Sequence, residues 1–344
     1  MALARLSAAF GLGLGVGVAM LKLRERWRVR SRVAHRDPSL FAFFSSLSGQ
    51  PPTTNVDEMV VPIDDHIVVR GHAVFDTVTL RNGKLYRLKA HLQRFLASAC
   101  AARLEWPYGP DLQANLRELE ARIRETVAAS GKDTADIRYW LTAGPGNLGI
   151  TPAGCTPALY VLVFGGLPMF GDPMEHGIHE ASIPVSEVPH KPAMLAEMKS
   201  TNYMMNALMA MAAQDKGGRF GIGVRDDGSL TESAALNVVL QVGSDRILRT
   251  PPFDGILRGT TVRRAMELAQ EFLVGEGCPL TGVSQNVLTL ADAAEAVELF
   301  LLAGDTHTIP ITVLDGKPVG DGRVGPIAKE IQRLLVQDAD SRDV

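Results

Sequence analysis

The sequence predicts an α+β chain of two domains behind a separate N-terminal segment. Size is the first reason: 344 residues, 46% of them apolar, suit two hydrophobic cores better than one. The second is the order of patterns, since strand-like runs and amphipathic helical stretches alternate in both halves. The third is the run from Gly165 to Pro173, where Pro168, Gly171 and Asp172 break any regular element. Residues 166–175 therefore read as a linker between a smaller α+β domain, 51–165, and a larger one, 176–340.

Residues 1–50 are set apart from the fold. Leu6 to Leu21 carries no charge, and Lys22, Arg24, Arg26, Arg28, Arg30, Arg32 and Arg36 follow with only Glu25 against them. The uncharged run falls short of the roughly 20 residues that span a bilayer. Two readings stand: a weak membrane anchor in contact through residues 6–21, or an Arg-rich, acid-poor presequence addressed to a plastid or mitochondrion. Gly11, Gly13, Gly15 and Gly17 weaken a helix there, and no strand precedes them as a dinucleotide loop would require.

The body begins past Pro51-Pro52. Met59–Ile63, Ile67–Val69 and Ala73–Leu80 read as strands, and Asn82-Gly83 turns the chain into Lys84–Leu88. A helix is expected from Lys89 to Ala102, with His91 and Arg94 three apart on one face. Another is expected from Leu112 to Ala129, with Arg117, Glu118, Glu120, Arg122 and Arg124 outward. Strands at Ile137–Trp140 and Ala158–Phe164 complete the first domain. The second opens on a strand at Ile178–Ile183. Asn202–Gln214 forms a helix whose Met204, Met205, Met209 and Met211 are expected to pack in the core. Asn237–Val242 is a buried strand, and Val262–Phe272 a helix.

A net charge of -3 and the lack of a basic stripe in the body exclude a nucleic-acid partner. Cys100, Cys155 and Cys278 are far apart and show neither metal-ligand nor redox spacing, so no disulfide framework or metal site is implied.

The chemistry concentrates in the run Lys199-Ser200-Thr201-Asn202-Tyr203 and in Thr231-Glu232-Ser233, which follows a turn at Gly228 and leads into the Asn237 strand. A lysine amine that forms a Schiff base and an acid that keeps a pyridine nitrogen protonated are what pyridoxal 5'-phosphate requires. Either residue alone is more often a solvated surface group.

Four blocks in order resemble the fold-type IV pyridoxal-phosphate enzymes, which include D-amino-acid transaminases, branched-chain aminotransferases and aminodeoxychorismate lyases. They are Arg70-Gly71-His72-Ala73-Val74-Phe75-Asp76-Thr77, His91-Leu92-Gln93-Arg94, the Lys199 block, and Thr231-Glu232 through Ile256-Leu257-Arg258-Gly259-Thr260-Thr261. Asp64-Asp65-His66 and Arg138–Gly146 resemble the plant-type D-amino-acid transaminases. The resemblance implies a smaller α/β sandwich, a larger domain with a β-barrel-like core, and a homodimer.

It also implies roles. Lys199 holds the cofactor and moves the substrate α-proton, Glu232 meets the pyridine nitrogen, Arg94 binds the phosphate, Leu257 packs on the ring, and Tyr203 meets the phenolic oxygen. Gly259, Thr260 and Thr261 offer the phosphate a helix N-terminus. The family's Gly-Ser or Gly-Thr pair is replaced by Gly304-Asp305-Thr306, which leaves Thr306 for a second phosphate contact. Arg70 and Arg138 are candidates for the substrate carboxylate, with His72 and Tyr139 beside them. Phe75 replaces a tyrosine of some D-amino-acid transaminases, and the Gly144-Pro145-Gly146 loop is expected to close over the site. The implied reaction moves an amino group from a D-amino acid to a 2-oxo acid. The alternatives are the lyase, the branched-chain L-aminotransferase, and a tethered protein that binds cofactor without turnover.

Overall fold

A computed structural model describes residues 40–165, 173–302, 304 and 307–341. The uncharged run 6–21 with its basic flank, most of the expected linker, and the Asp305-Thr306 pair lie outside the described residues.

The first sheet has five strands: β1 (Leu40–Ser45), β2 (Ala73–Arg81), β3 (Lys84–Leu85), β4 (Ala135–Thr142) and β5 (Ala158–Phe164), in the order β1-β5-β4-β2-β3. β2 and β4 pair antiparallel with Thr77 opposite Arg138 and Asp76 opposite Tyr139. Alternation decides what each face does. Val74, Val78, Ile137, Tyr139 and Leu141 point into a core closed by helices α1 (Leu88–Ala101) and α2 (Leu112–Ser130). Phe75, Thr77, Thr79, Asp136 and Arg138 point the other way, into a cavity. Asp111 accepts from the amides of Gln113 and Ala114 at the start of α2, and Gly131 closes its end at φ +64°. Phe95 of α1, fully buried, packs edge-on against Trp106 and Tyr139. Burial of such a ring contributes roughly 1.5–3 kcal/mol.

Two further sheets follow. The larger has seven strands: β6 (Ile178–Glu180), β10 (Asn237–Val242), β11 (Ile247–Thr250), β12 (Gly282–Gln285), β13 (Ala296–Leu302), β14 (Thr308–Leu314) and β15 (Lys317–Pro318). The smaller joins β7 (Ser182–Pro184), β8 (Ile222–Val224) and β9 (Leu230–Ser233). Between them lies a core containing Val238, Leu240, Leu299 and Leu301. The opposite face of the larger sheet, with Val239, Phe300 and Leu302, is covered by helices α4 (Thr260–Phe272) and α5 (Pro326–Ser341). Burial on both faces is why β10 and β13 are mostly apolar, with Gln241 and Glu298 paired across them. α3 (Met204–Asp215) packs on the smaller sheet through Met209 and Ala213. At the start of α4, Arg87 donates to the Thr260 carbonyl, 2.8 Å; Tyr86 donates to Asp338 of α5, 2.8 Å.

The structure departs from expectation in several places. Leu40–Ser45, set apart with the N-terminal segment, is an edge strand of the first sheet, with Ala42, Phe43 and Phe44 buried. Met59–Ile63 forms no strand, and Ile67–Val69 belongs to a single helical turn, because Asp65 caps it by accepting from the Ile67 amide, 2.9 Å. Ile178–Ile183 divides between two sheets at Ala181. Met204 and Met211 are exposed rather than core residues, at 73% and 58%. Instead of a closed barrel, the described strands form an open seven-stranded sheet with β12 at one end and β15 at the other.

Candidate active site

The exposed face of β2 and β4 forms one wall of a cavity of about 180 Å³. Lys199 enters it from a short segment that runs beside β2. The Phe75 amide donates to the Lys199 carbonyl, 2.9 Å, the Thr201 amide donates to the Ala73 carbonyl, 3.0 Å, and Ser98 of α1 accepts from the Lys199 amide, 3.1 Å. These bonds fix the backbone, so the lysine side chain alone has freedom to move. Its Nζ lies 3.3 Å from Tyr203 Oη and 4.7 Å from the centroid of the Phe75 ring.

Arg94 lines the same cavity but is held from behind. Its Nε and Nη2 donate to the two oxygens of Asp76, at 2.8 and 2.6 Å, and His91 Nδ1 lies 3.0 Å from the same carboxylate. Asp76 has no exposed surface. Burial alone would raise its pKa, yet Arg94 and His91 outweigh it and hold the carboxyl well below the usual range. For Arg94, burial opposes the charge and Asp76 more than compensates, so the guanidinium is raised. Burial lowers His91, against the pull of Asp76.

The floor is the start of α4. Gly259 takes the N-cap position and supplies no side-chain cap, so the first-turn amides of α4 face the cavity with buried Thr260 and Thr261. Asn237 of β10 donates to the Leu257 carbonyl, 3.0 Å, and fixes the turn. A Cβ on Gly259 would stand 1.9 Å from Asn237 Oδ1. Gly259→Ala is therefore expected to cost about 1–3 kcal/mol and to weaken phosphate binding, checked by urea unfolding and by phosphate protection of the cofactor-free chain.

Glu232 stands behind Leu257, whose amide donates to Glu232 Oε2, 3.2 Å. Part of its surface remains open to two neighbouring gaps, but protein atoms crowd its carboxylate, and that burial raises it to about 7 against the Leu257 amide, Lys199 and Lys191.

Arg138 also lines the cavity. Its Nε donates to Thr77 Oγ1, 3.0 Å, and its guanidinium carbon lies 5.5 Å from the ring centroids of both Phe75 and Phe164. Burial lowers its pKa. Arg70 does not reach this cavity. It is exposed, and its guanidinium donates to the carbonyls of Val69, Leu148 and Gly149, so within one chain it anchors a loop instead of a substrate. His72 pairs with the Ala102 carbonyl and Tyr139 is buried in the core. Gly144 to Gly146 is likewise absent from the cavity wall, since Thr156 donates to the Pro145 carbonyl and Gly144 donates to Thr142.

One cavity thus gathers Lys199, Tyr203, Arg94, Leu257, Gly259, Thr260, Thr261 and Arg138, with Glu232 just behind Leu257. Sequence reasoning left Asp76 unassigned, although a carboxylate at a core-facing position of an alternating strand was the available signal.

The chain belongs to the class IV aminotransferases: the profile of the Amino-transferase class IV family matches residues 73–314. Enzymes of this class use pyridoxal phosphate and exchange amino groups between amino acids and 2-oxo acids. The chain is 36% identical over 313 residues, 90% of its length, to a chloroplastic D-amino-acid transaminase of Arabidopsis thaliana, of which 79% is covered. Its fold matches the branched-chain amino acid aminotransferase of Escherichia coli with a TM-score of 0.73, at 25% identity, covering 86% of this chain and 93% of that one. It also matches the PLP-bound form of a hypothetical aminotransferase from Mycobacterium tuberculosis, TM-score 0.69 at 25% identity, over 87% and 99% of the two chains.

Proposed function

We propose that the enzyme transfers an amino group from a D-amino acid to a 2-oxo acid. The 36% identity over 90% of the chain to a transaminase named for D-amino acids carries this reading. The residues present suit the cofactor: a lysine amine in the cavity, a helix N-terminus with a glycine where a Cβ would not fit, an arginine beside it, and a half-buried carboxylate. When bound, pyridoxal phosphate supplies an aldehyde for the amine and a ring that accepts electrons from the substrate α-carbon.

The chain's own groups do the rest. Lys199 Nζ would take the proton from the substrate α-carbon and deliver it to the cofactor carbon that carried the aldehyde, which returns the amine to its starting protonation state. Tyr203 Oη, 3.3 Å from that amine, orients it. The α4 amides, Thr260, Thr261 and Arg94 hold a phosphate, and Asp76 fixes Arg94 in direction. Glu232 holds a proton between itself and the ring nitrogen, and Leu257 covers the ring face. Thr306 remains the proposed second phosphate contact.

Arg138 is the proposed carboxylate anchor. It lines the cavity while Thr77 holds its Nε. Arg138→Ala should raise KM for the 2-oxo acid by about tenfold or more, the worth of a charged hydrogen bond, with a smaller change in kcat. Unchanged KM would remove it from substrate binding. The resemblance further supports a homodimer and delivery of the body to a plastid by the N-terminal segment. No helix among the described residues is long and apolar enough to cross a membrane. The function is tested by pyruvate formation from D-alanine with 2-oxoglutarate as acceptor. Turnover of L-leucine but not D-alanine would replace the reading with the branched-chain one.

A further inference from the structure

Lys191 belongs to none of the blocks that carry the family resemblance and has no part in the roles above. It lies in the loop between β7 and the helical turn Ala193–Glu197, with Pro189 and Pro192 on either side restricting the backbone. Its Nζ stands 4.3 Å from the centroid of the Tyr203 ring. Lys199 Nζ is 5.8 Å from that same centroid, so two lysines attend one tyrosine. Lys191 also shares a small gap with Tyr203, Asn206, Glu232 and Leu257, behind the wall of the main cavity. A second cavity of about 160 Å³ brings it together with Glu232 again, and with His190 and Arg225.

We propose that Lys191 is a positioning residue whose ammonium holds the Tyr203 ring and favours the ionised form of the neighbouring Glu232 carboxylate, the group that is to receive the ring nitrogen. The functional part of this inference rests on Glu232 being the ring-nitrogen partner. The charges that face Lys191 come from three elements: Glu232 from β9, Lys199 and Tyr203 from the segment leading into α3, and Arg225 beyond β8, with His190 next in its own loop. Burial lowers Lys191 to about 8, opposed by Glu232 and reinforced by Lys199. Burial raises Glu232 to about 7, opposed first by the Leu257 amide, then by Lys199 and then by Lys191. For each partner burial outweighs the attraction of the other's charge, so each is drawn toward its neutral form. Without the Lys191 charge the burial of Glu232 is less opposed, and the carboxyl keeps its proton to higher pH. Arginine at 191 would retain the charge and the ring contact.

The test is a carbonyl infrared titration of the full-length, cofactor-free chain with ¹³C-labelled glutamate, the Glu232 signal being identified by its loss in E232Q. Lys191→Met and Lys191→Gln should each move the Glu232 midpoint upward by about one pH unit, and Lys191→Arg should leave it near the wild-type value. An unmoved midpoint in either folded uncharged variant overturns the proposal, and so does an equal rise in K191R. In the holoenzyme the acid limb of kcat/KM should shift in the same direction and be restored by arginine. Were the transaminase reading wrong, the infrared shift would persist and the kinetic shift would be absent.

Discussion

Lys199→Ala should lower turnover of D-alanine with 2-oxoglutarate by about a thousandfold, the scale of losing a positioned general base. The segment that carries Lys199 is bonded through its backbone to β2 and α1, so the substitution leaves the fold in place. The proposed phosphate contacts at α4 and Arg94 are untouched, and the variant should still bind pyridoxal phosphate, now without a covalent bond and removable by dialysis. Single-turnover kinetics and the visible spectrum after dialysis check both statements. A variant within tenfold of wild type would exclude Lys199 from the chemistry.

Asp76→Asn should cost about 3–5 kcal/mol of unfolding free energy, because it removes one partner of a buried pair and leaves the Arg94 charge uncompensated. Both partners are well shielded, with side-chain exposures of 11% for Arg94 and 0% for Asp76, so solvent screening does little to soften the loss. The same substitution loosens the arginine proposed for the phosphate and should weaken cofactor binding along with stability. The pH dependence has a definite sign. Since the folded pKa of Asp76 is depressed, its stabilisation is complete above the unfolded value of about 4 and is lost as pH falls below it. Wild type should therefore lose stability in that acid range more steeply than D76N. Urea unfolding at pH 7 and pH 3.5 reads both effects, and a loss below about 1 kcal/mol at pH 7 would contradict the role given to the ion pair.

Much of this site was legible because its residues fall in short ordered blocks. Lys199, Glu232, Arg94, Leu257 and the Gly259-Thr260-Thr261 turn each carry a chemistry that restricts residue type, and one cavity gathers them or stands beside them. Arg138 was named only as a candidate, and its place on one sheet face with Thr77 and Phe75 comes from the pairing of β2 with β4, which the sequence does not show. Arg70 lines no part of its own chain's cavity, since an arginine in a family block says nothing about which long-range carbonyls it will meet, here those of Leu148 and Gly149. Asp76 and Lys191 show what pattern reading leaves out. One is buried against α1, whose Arg94 lies 18 residues further along the chain, and the other sits in an aperiodic loop whose neighbours are set by tertiary packing. The methionines of α3 read as core by composition, but composition does not say which helix face is covered, and Met204 and Met211 lie on the open one. Leu40–Ser45 was hidden by its place just after a basic run, although its apolar residues suit an edge strand well.

The most direct test of the central claim is the absorbance spectrum of the full-length holoenzyme, recorded before and after addition of D-alanine and, separately, L-leucine. A visible band that shifts with D-alanine and is unchanged by L-leucine is the predicted result, and it should be missing from Lys199→Ala. A band that shifts with L-leucine alone, or with neither amino acid, would contradict D-amino-acid transamination.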